Sequence, residues 1–130
     1  MNPRPRVLLV GIDPVAIDYS SGPLAGFNAE GVMQVINAGH AAFAGRGIDA
    51  DMCLIDFGAT ADAVLSAALA EVAYDCVVIG AGVREPAETL LLFERVVNLI
   101  RKYAPGAAIA FNSNPSDSLD AALRWLPERS

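Results

Sequence analysis

The chain has 130 residues, of which 54% are hydrophobic and 18% charged; this predicts one folded domain over residues 1–130 and excludes disorder as the main state. The formal net charge of −6 argues against nucleic acid as a partner, because phosphate backbones are bound by basic surfaces. No apolar run approaches the roughly 20 residues that cross a bilayer, so we expect a cytoplasmic protein without a membrane partner.

The N-terminal half alternates strand and helix patterns. Residues 6–12 (RVLLVGI) are apolar almost throughout, as in a parallel strand that is covered on both faces. A helix is predicted over residues 28–44, with Asn28 as its N-cap. Its predicted inward residues are Val32, Val35, Ile36, Gly39 and Phe43. A second strand over residues 51–56 precedes a second helix over residues 60–72. That helix is predicted to face inward with Val64, Leu65, Ala68, Leu69 and Val72.

The C-terminal half repeats the alternation. Strands are predicted over residues 75–79 and 107–111, a helix over residues 86–103 beginning at a proline, and a last helix capped by Asn114. Repeated strand–helix units imply a parallel sheet with right-handed crossovers. We therefore predict a single-domain, flavodoxin-like (Rossmann-like) three-layer α/β/α fold with four parallel strands in the order 2-1-3-4. Such sheets bind ligands at the carboxyl ends of the strands, where the order reverses.

The third predicted helix is apolar on more than one face. One face suffices to pack against the sheet, so the surplus predicts self-association as a homodimer or higher homo-oligomer. The apolar residues of this helix are Leu90, Leu91, Leu92, Phe93, Val96, Val97, Leu99 and Ile100.

The stretch DCVVIGAGVREPAETLLLFERVVNLIRKYAPGAAIAFNSN, residues 75–114, resembles the third strand, third helix and fourth strand of a response-regulator receiver domain. Receivers carry acids at the end of the first strand and a phosphoacceptor aspartate at the end of the third, where this chain has Gly11, Ile12 and Gly80. Their Ser/Thr after the fourth strand corresponds to Asn112, and their fifth strand with its lysine is missing. The resemblance implies the fold without phosphoryl acceptance. The C-terminal half also resembles a family of small bacterial and fungal proteins to which no activity is attached.

A long connection follows the first predicted strand. Residues 13–27 read DPVAIDYSSGPLAGF, whereas most strand-to-helix links in such folds have about 2–6 residues. A link of this length is typical of a lid or binding loop, and the alternative is an Ω-loop that caps the sheet. Its candidate ligand-contacting residues are Asp13, Asp18, Tyr19, Ser20 and Ser21.

A second candidate segment follows the third strand. Gly80 and Gly82 lack a Cβ, so their backbone N–H groups can approach a ligand, and the next helix N-terminus adds partial positive charge. Arg84 is placed to clamp a carboxylate or phosphate. Asn112 and Asn114, after the fourth strand, are candidates for hydrogen bonds to a substrate, although capping alone accounts for Asn114. In the structural alternative, Arg84 forms an ion pair with Asp13, Asp18 or Glu85.

The sequence limits the available catalytic groups. The only histidine, His40, is predicted at the opposite end of the sheet from Ser20 and Ser21, which argues against a Ser-His-Asp arrangement. The cysteines, Cys53 and Cys76, lie in apolar runs as buried free thiols, and no zinc site is expected. Proton transfer then falls to carboxylates, one of which would need partial burial and a raised pKa to act as general base. The candidates are Asp13, Asp18 and Glu85.

Two functions fit this pattern. The first is a small hydrolase or lyase without cofactor or metal, acting on a small carboxylated or phosphorylated compound at the carboxyl ends of strands 1, 3 and 4. In it Arg84 anchors the anion, residues 80–82 donate backbone hydrogen bonds, and Asp13 or Asp18 is the base. The second is a degenerate receiver-like module that dimerises or binds a partner without catalysis. The enzyme requires Arg84 and the aspartates to converge on one cavity.

Overall fold

The computed structural model describes residues 4–22 and 24–126. The strands are β1 (Arg6–Ile12), β2 (Asp49–Ile55), β3 (Cys76–Ile79) and β4 (Ala108–Phe111). The helices are α1 (Ala29–Ala41), α2 (Ala61–Glu71), α3 (Ala81–Arg84), α4 (Leu90–Tyr103) and α5 (Ser118–Leu123). Single 3-10 turns lie at Pro14–Ala16, Ala44–Arg46, Ala87–Thr89 and Pro115–Asp117.

The four strands form one parallel sheet in the order β2-β1-β3-β4, which confirms the predicted flavodoxin-like topology. Ile12 lies opposite Ile55, Val10 opposite Ile79, and Ile79 opposite Phe111. Because all strands are parallel, their carboxyl ends lie along one side of the sheet. We call the loops and first helical turns that follow Ile12, Ile55, Ile79 and Phe111 the carboxyl edge.

Helices cover both faces of the sheet. One core cluster is shared with α2, α3 and α4, and it includes Leu8, Val10, Leu65, Leu69, Val77, Ile79, Val83, Val96 and Ile100. The other is smaller, lies under α1 and α5, and includes Val7, Phe43, Ile48, Cys76, Val78, Ala110, Ala121 and Ala122. Burying each large aliphatic or aromatic side chain contributes about 1.5–3 kcal/mol, so these two clusters hold the layers together. Within the part of the chain that the structure describes, no helix has the length and apolar character needed to span a membrane.

The outer strands each have one outward carbonyl that accepts a side-chain hydrogen bond. In β2, the Ala50 carbonyl accepts from His40 Nε2 at 2.6 Å. A carbonyl oxygen can only accept, so Nε2 carries the proton. In β4, the Phe111 carbonyl accepts from Arg124 Nη2 at 2.9 Å. Both carbonyls point away from the neighbouring strand, because the alternate residues of each strand form the ladder.

α1 approaches the turn after β4 very closely at Gly39. A Cβ at this position would lie 2.2 Å from the carbonyl oxygen of Pro115, a separation that no side chain can occupy. Gly39 is therefore buried for a packing reason, since a backbone without a side chain lets two segments touch.

The largest departure from the predicted elements is at the start of α4. The helix predicted from Pro86 begins at Leu90, because Pro86 is extended (φ −65°, ψ 138°) and opens a 3-10 turn instead. The Thr89 hydroxyl donates to the Pro86 carbonyl at 2.9 Å and closes that turn. Before it, the segment predicted as a glycine turn contains the short helix α3. The other strand and helix starts lie within three residues of the predictions.

Two predicted inward residues are exposed. Val35 is 44% exposed and Val64 is 41% exposed. Each lies beside, rather than on, the stripe of its helix that packs inward: Gly39 is the buried residue of α1, while α2 packs through Ala61, Leu65 and Leu69. Each predicted inward face therefore includes one valine that is exposed in the structure.

The apolar surplus of α4 is concentrated at its first turn. Leu92, Val96 and Ile100 are buried. Phe93, Val97 and Leu99 are partly buried against the same core. Leu90 and Leu91 remain, 57% and 69% exposed. The surplus is thus a pair of leucines at the carboxyl edge rather than a second face along the helix.

Both cysteines are free and buried, as predicted. Burial raises the pKa of the Cys53 and Cys76 thiols from 9.0 to about 11. We expect neither thiol to react with Ellman's reagent at pH 8 in the native protein and both to react in guanidinium chloride. Because the native protein keeps both thiols protonated, we expect its stability to fall as the pH rises from 9 towards 11. Rapid labelling of either thiol without unfolding would contradict this placement.

Candidate functional site

The backbone donors after β3 are largely used within the protein. The Gly80 N–H donates to the Val10 carbonyl at 2.8 Å, and the Ala81 N–H donates to Asn112 Oδ1 at 2.9 Å. A Cβ on Gly80 would lie 3.2 Å from the Val10 carbonyl oxygen, so this glycine allows β3 to approach β1. Gly82, two residues later, is exposed.

Arg84 is half-buried and bonds to the ends of two strands. Its Nη2 donates to the Asn112 carbonyl at 2.9 Å and its Nη1 to the Ile79 carbonyl at 3.4 Å. The guanidinium carbon lies 5.2 Å from the centroid of the Phe111 ring, within reach of a cation–π interaction. None of the predicted acidic partners forms an ion pair with it. The ion pairs among the described residues join Arg4 to Asp49 and Arg6 to Asp51.

Asn112 links three elements through a buried amide. Only 7% of the Asn112 residue is exposed. Oδ1 accepts from the Ala81 N–H at the start of α3, and Nδ2 donates to the Ser118 hydroxyl of α5 at 2.9 Å. Buried polar groups that find such partners fix one arrangement of the surrounding elements. Asn112 thus positions α3 and α5 at the end of β4.

The segment after Asn112 is a capping box. Asn114 Oδ1 accepts from the Ser116 N–H at 2.8 Å. The Asp117 carboxylate accepts from the N–H groups of Ser113 and Asn114 at 3.0 and 3.2 Å and from the Ser113 hydroxyl. Desolvation raises the pKa of Asp117, but these hydrogen bonds outweigh it and leave the pKa below its ordinary value. Asn114 and Asp117 are accounted for by the turn that they cap.

Of the candidate general bases, Asp13 is half-buried, whereas Asp18 and Glu85 are exposed. Asp13 Oδ1 accepts from the Val15 N–H at 3.1 Å and so caps its own turn. Asp18 is exposed and accepts from the hydroxyl and the N–H of Ser20 at 2.5 and 2.9 Å. These hydrogen bonds hold the pKa of Asp18 below its ordinary value. Asp18 is therefore not a candidate whose pKa is raised. Glu85 is exposed.

The long loop after β1 is folded onto the sheet. The Tyr19 hydroxyl donates to the Pro14 carbonyl at 2.7 Å, and the Gly26 N–H donates to the Tyr19 carbonyl at 3.3 Å. Ala16 and Ile17 pack against the larger core cluster, whereas Ser21 is exposed. Residue 23 lies outside the described residues. The described part of this loop caps one side of the core.

Large apolar side chains are exposed along the carboxyl edge. We call them the apolar edge surface: Val15 (79% exposed), Phe27 (59%), Phe57 (50%), Leu90 (57%) and Leu91 (69%). They come from the loop after β1, the loop after β2 and the first turn of α4.

Three contacts connect these loops. The Asp13 N–H donates to the Ile55 carbonyl at 2.8 Å, so Val15 and Phe57 each lie two residues from the same hydrogen bond. A Cβ on Gly58 would lie 3.6 Å from Arg95 Nη1, and Arg95 is one helical turn beyond Leu91. The Tyr19 contacts described above bring the end of the first loop, and with it Phe27, back to its beginning. Of this surface, the sequence pattern indicated only the two leucines, as part of the surplus of α4.

His40 lies outside the candidate site. His40 contacts the Ala50 carbonyl near the start of β2, away from the loop that holds Ser20 and Ser21. In residues 4–22 and 24–126, no group of three or more His, Cys, Asp or Glu side chains is placed to hold a metal ion. An open groove lies between the C-terminal half of α4 and β4. It contains none of the predicted site residues and is lined by residues such as Val97, Arg101, Lys102, Pro105 and Ile109.

Comparison with known proteins adds no assignment. No protein-family model matches the chain, and no match was found among curated proteins. The functional argument therefore depends on the residues of the carboxyl edge themselves.

Proposed function

We propose that this protein is a receiver-like interaction module that binds a protein partner through the apolar edge surface. One observation carries the proposal. The candidate substrate-binding side chains Arg84 and Asn112 and the candidate base Asp18 are hydrogen-bonded within the protein, whereas five large apolar side chains are exposed at the same edge. An enzyme would be expected to present free polar groups to a substrate there.

Exposed apolar side chains gain free energy when a partner covers them. Fully burying a Leu, Val or Phe side chain contributes about 1.5–3 kcal/mol, and clusters of such residues commonly mark interaction surfaces. The apolar edge surface contains two phenylalanines, two leucines and one valine. A partner that covers these side chains removes their apolar surface from water.

The hydrolase or lyase hypothesis makes a different demand on Arg84. To anchor a small carboxylated or phosphorylated compound, Arg84 must offer the anion the N–H groups that do not donate to the Ile79 and Asn112 carbonyls. Asp13 and Asp18 accept from backbone N–H groups through Oδ1, so a general base at either residue would act through Oδ2. The interaction module requires neither an anion at Arg84 nor a proton acceptor at Asp13 or Asp18, and this difference can be tested directly.

The test compares two kinds of probe, a dye and small anions, by dye fluorescence and by amide NMR. We expect a neutral solvatochromic dye to brighten with the native protein and to shift amides near Val15, Phe57 and Leu91. Inorganic phosphate and acetate are expected to leave the amide signals of Gly82 and Arg84 unchanged. The double variant Leu90→Ser/Leu91→Ser should lose the dye response and keep its stability within about 0.5 kcal/mol, because both side chains are exposed.

The matched control is Val35→Ser, which changes an exposed valine on α1 and should keep the dye response. The opposite pattern would favour the enzyme: phosphate or acetate shifting the amides of Gly82, Arg84 and Asn114, with no dye response at the carboxyl edge.

A further inference from the structure

We infer that the partner covering the apolar edge surface is a basic amphipathic helix of another protein. This inference rests on the proposed function, and it adds the charge and the shape of the partner. Three observations support it: the charge around the surface, the absence of a free strand edge within it, and the position of the cations of this chain.

The surroundings of the apolar edge surface are acidic. No Lys or Arg occurs between Arg6 and Arg46 or between Arg46 and Arg84, so the connections after β1 and β2 contain no cation. At the start of α4 the nearby cations are Arg84, which is half-buried on backbone carbonyls, and Arg95. The carboxylates in the same loops and first helical turns are Asp13, Asp18, Glu30, Asp56, Asp62, Glu85 and Glu88.

Some of these carboxylates have a structural role, and they still contribute negative charge to the surface that a partner would meet. Asp56 accepts from Gly58 N–H and from Thr60 N–H and hydroxyl, and acids in the first turns complement the helix dipoles. The hydrogen bonds from Gly58 and Thr60 keep the pKa of Asp56 below its ordinary value, so this carboxylate stays charged at neutral pH. A partner with apolar residues flanked by Lys or Arg complements such a surface.

The backbone at this edge favours a helix as the ligand. An extended peptide binds by adding a strand to an open sheet edge. The apolar edge surface is formed instead by loops and by the first turn of α4, where side chains make the contact. An amphipathic helix presents the apolar stripe that such a surface can cover. An anionic membrane is disfavoured because the carboxylates in these loops and first helical turns would repel it.

A second copy of this chain fits less well. Two copies meeting through the same surface would place like charges opposite each other, which is unfavourable. A head-to-tail copy would have to offer the cations at the other end of the molecule, such as Arg46, Arg101 and Lys102. Arg46 lies in a different segment from Arg101 and Lys102, and the apolar stripe of α4, the helix of the latter two, is already buried in this chain.

The test uses a designed helical peptide as probe. The peptide carries leucines on one face and lysines on the other, and its charge-reversed twin has Glu in place of every Lys. Binding of each labelled peptide to the full chain is followed by fluorescence anisotropy at low and high salt. We expect the basic peptide to bind at least about tenfold more tightly than the acidic one, with affinity that falls as salt screens the charges.

Two double variants separate the apolar from the charged contribution. Leu90→Ser/Leu91→Ser should weaken the basic peptide by about tenfold or more. Glu85→Lys/Glu88→Lys, at two exposed positions, should weaken it and reduce the salt dependence. Val35→Ser should leave the affinity unchanged.

Each other outcome overturns the inference in a distinguishable way. If the leucine variant binds the basic peptide as well as the wild type, the attraction is purely electrostatic, and both the inference and the proposed surface fail. If the acidic peptide binds equally well and the leucine variant loses it, the surface stands and its basic partner is wrong. If neither peptide binds but the mass in solution grows with concentration only in the wild type, the occupant is a second copy.

Discussion

Replacing Gly39 with alanine is expected to lower the free energy of unfolding by about 3 kcal/mol, the cost of overpacking a close contact. The new Cβ would lie 2.2 Å from the Pro115 carbonyl oxygen. The obstacle is backbone, so no side-chain rotation can relieve it, and α1 must move away from the turn after β4. That movement also exposes part of the smaller core cluster, to which Phe43 belongs.

The same substitution at Gly31 is the matched control. Gly31 is in the same helix, and its added Cβ would lie 3.4 Å from Asn28 Oδ1, an ordinary contact. Alanine is favoured over glycine within helices by about 0.5–1 kcal/mol, so Gly31→Ala should be neutral or slightly stabilising. Urea unfolding of both variants provides the measurement. Equal effects at the two positions would mean that the close approach of α1 is not present.

Replacing Asn112 with alanine is expected to cost about 3 kcal/mol, because each buried polar group that loses its partner costs about 1–3 kcal/mol. The Ala81 N–H and the Ser118 hydroxyl both bond to this side chain. In the variant both groups would stay at the junction of α3, β4 and α5 without this partner. We therefore expect a lower unfolding midpoint and faster hydrogen exchange at the Ala81 amide.

Asn98→Ala controls for the loss of an asparagine as such. Asn98 is on α4, where its Nδ2 donates to the Glu94 carbonyl at 2.8 Å on the exposed side. Surface substitutions of this kind stay within about 0.5 kcal/mol. Protection of the Ala81 amide that survives in Asn112→Ala would show that another group takes over the role of this side chain.

The sequence predicts the sheet well because its signals are local. The apolar run at residues 6–12 coincides with β1, and alternation of strands with helices is enough to order four parallel strands. The start of α4 was placed too early for an equally local reason. A proline can begin a helix or precede one, and the sequence does not show that Pro86 is extended.

The candidate site was harder to predict because its contacts join distant residues. Ala81 and Asn112 are 31 positions apart, and Arg84 reaches the Asn112 carbonyl over a similar separation. The sequence does not distinguish an arginine or asparagine that binds a ligand at a strand end from one that holds the strands together. The exposed Val15 and Phe57 gave no signal, since exposure depends on how the loops fold.

The side chains that bond to the outer strands bear on how the protein behaves at high concentration. An open sheet edge is a template on which strands of other molecules can add, the first step towards cross-β fibrils. Here His40 occupies the Ala50 carbonyl on one edge, and Arg124 occupies the Phe111 carbonyl on the other. A foreign strand must displace an imidazole or a guanidinium before it can bond there. Each of these side chains therefore hinders strand addition at the one carbonyl that it occupies.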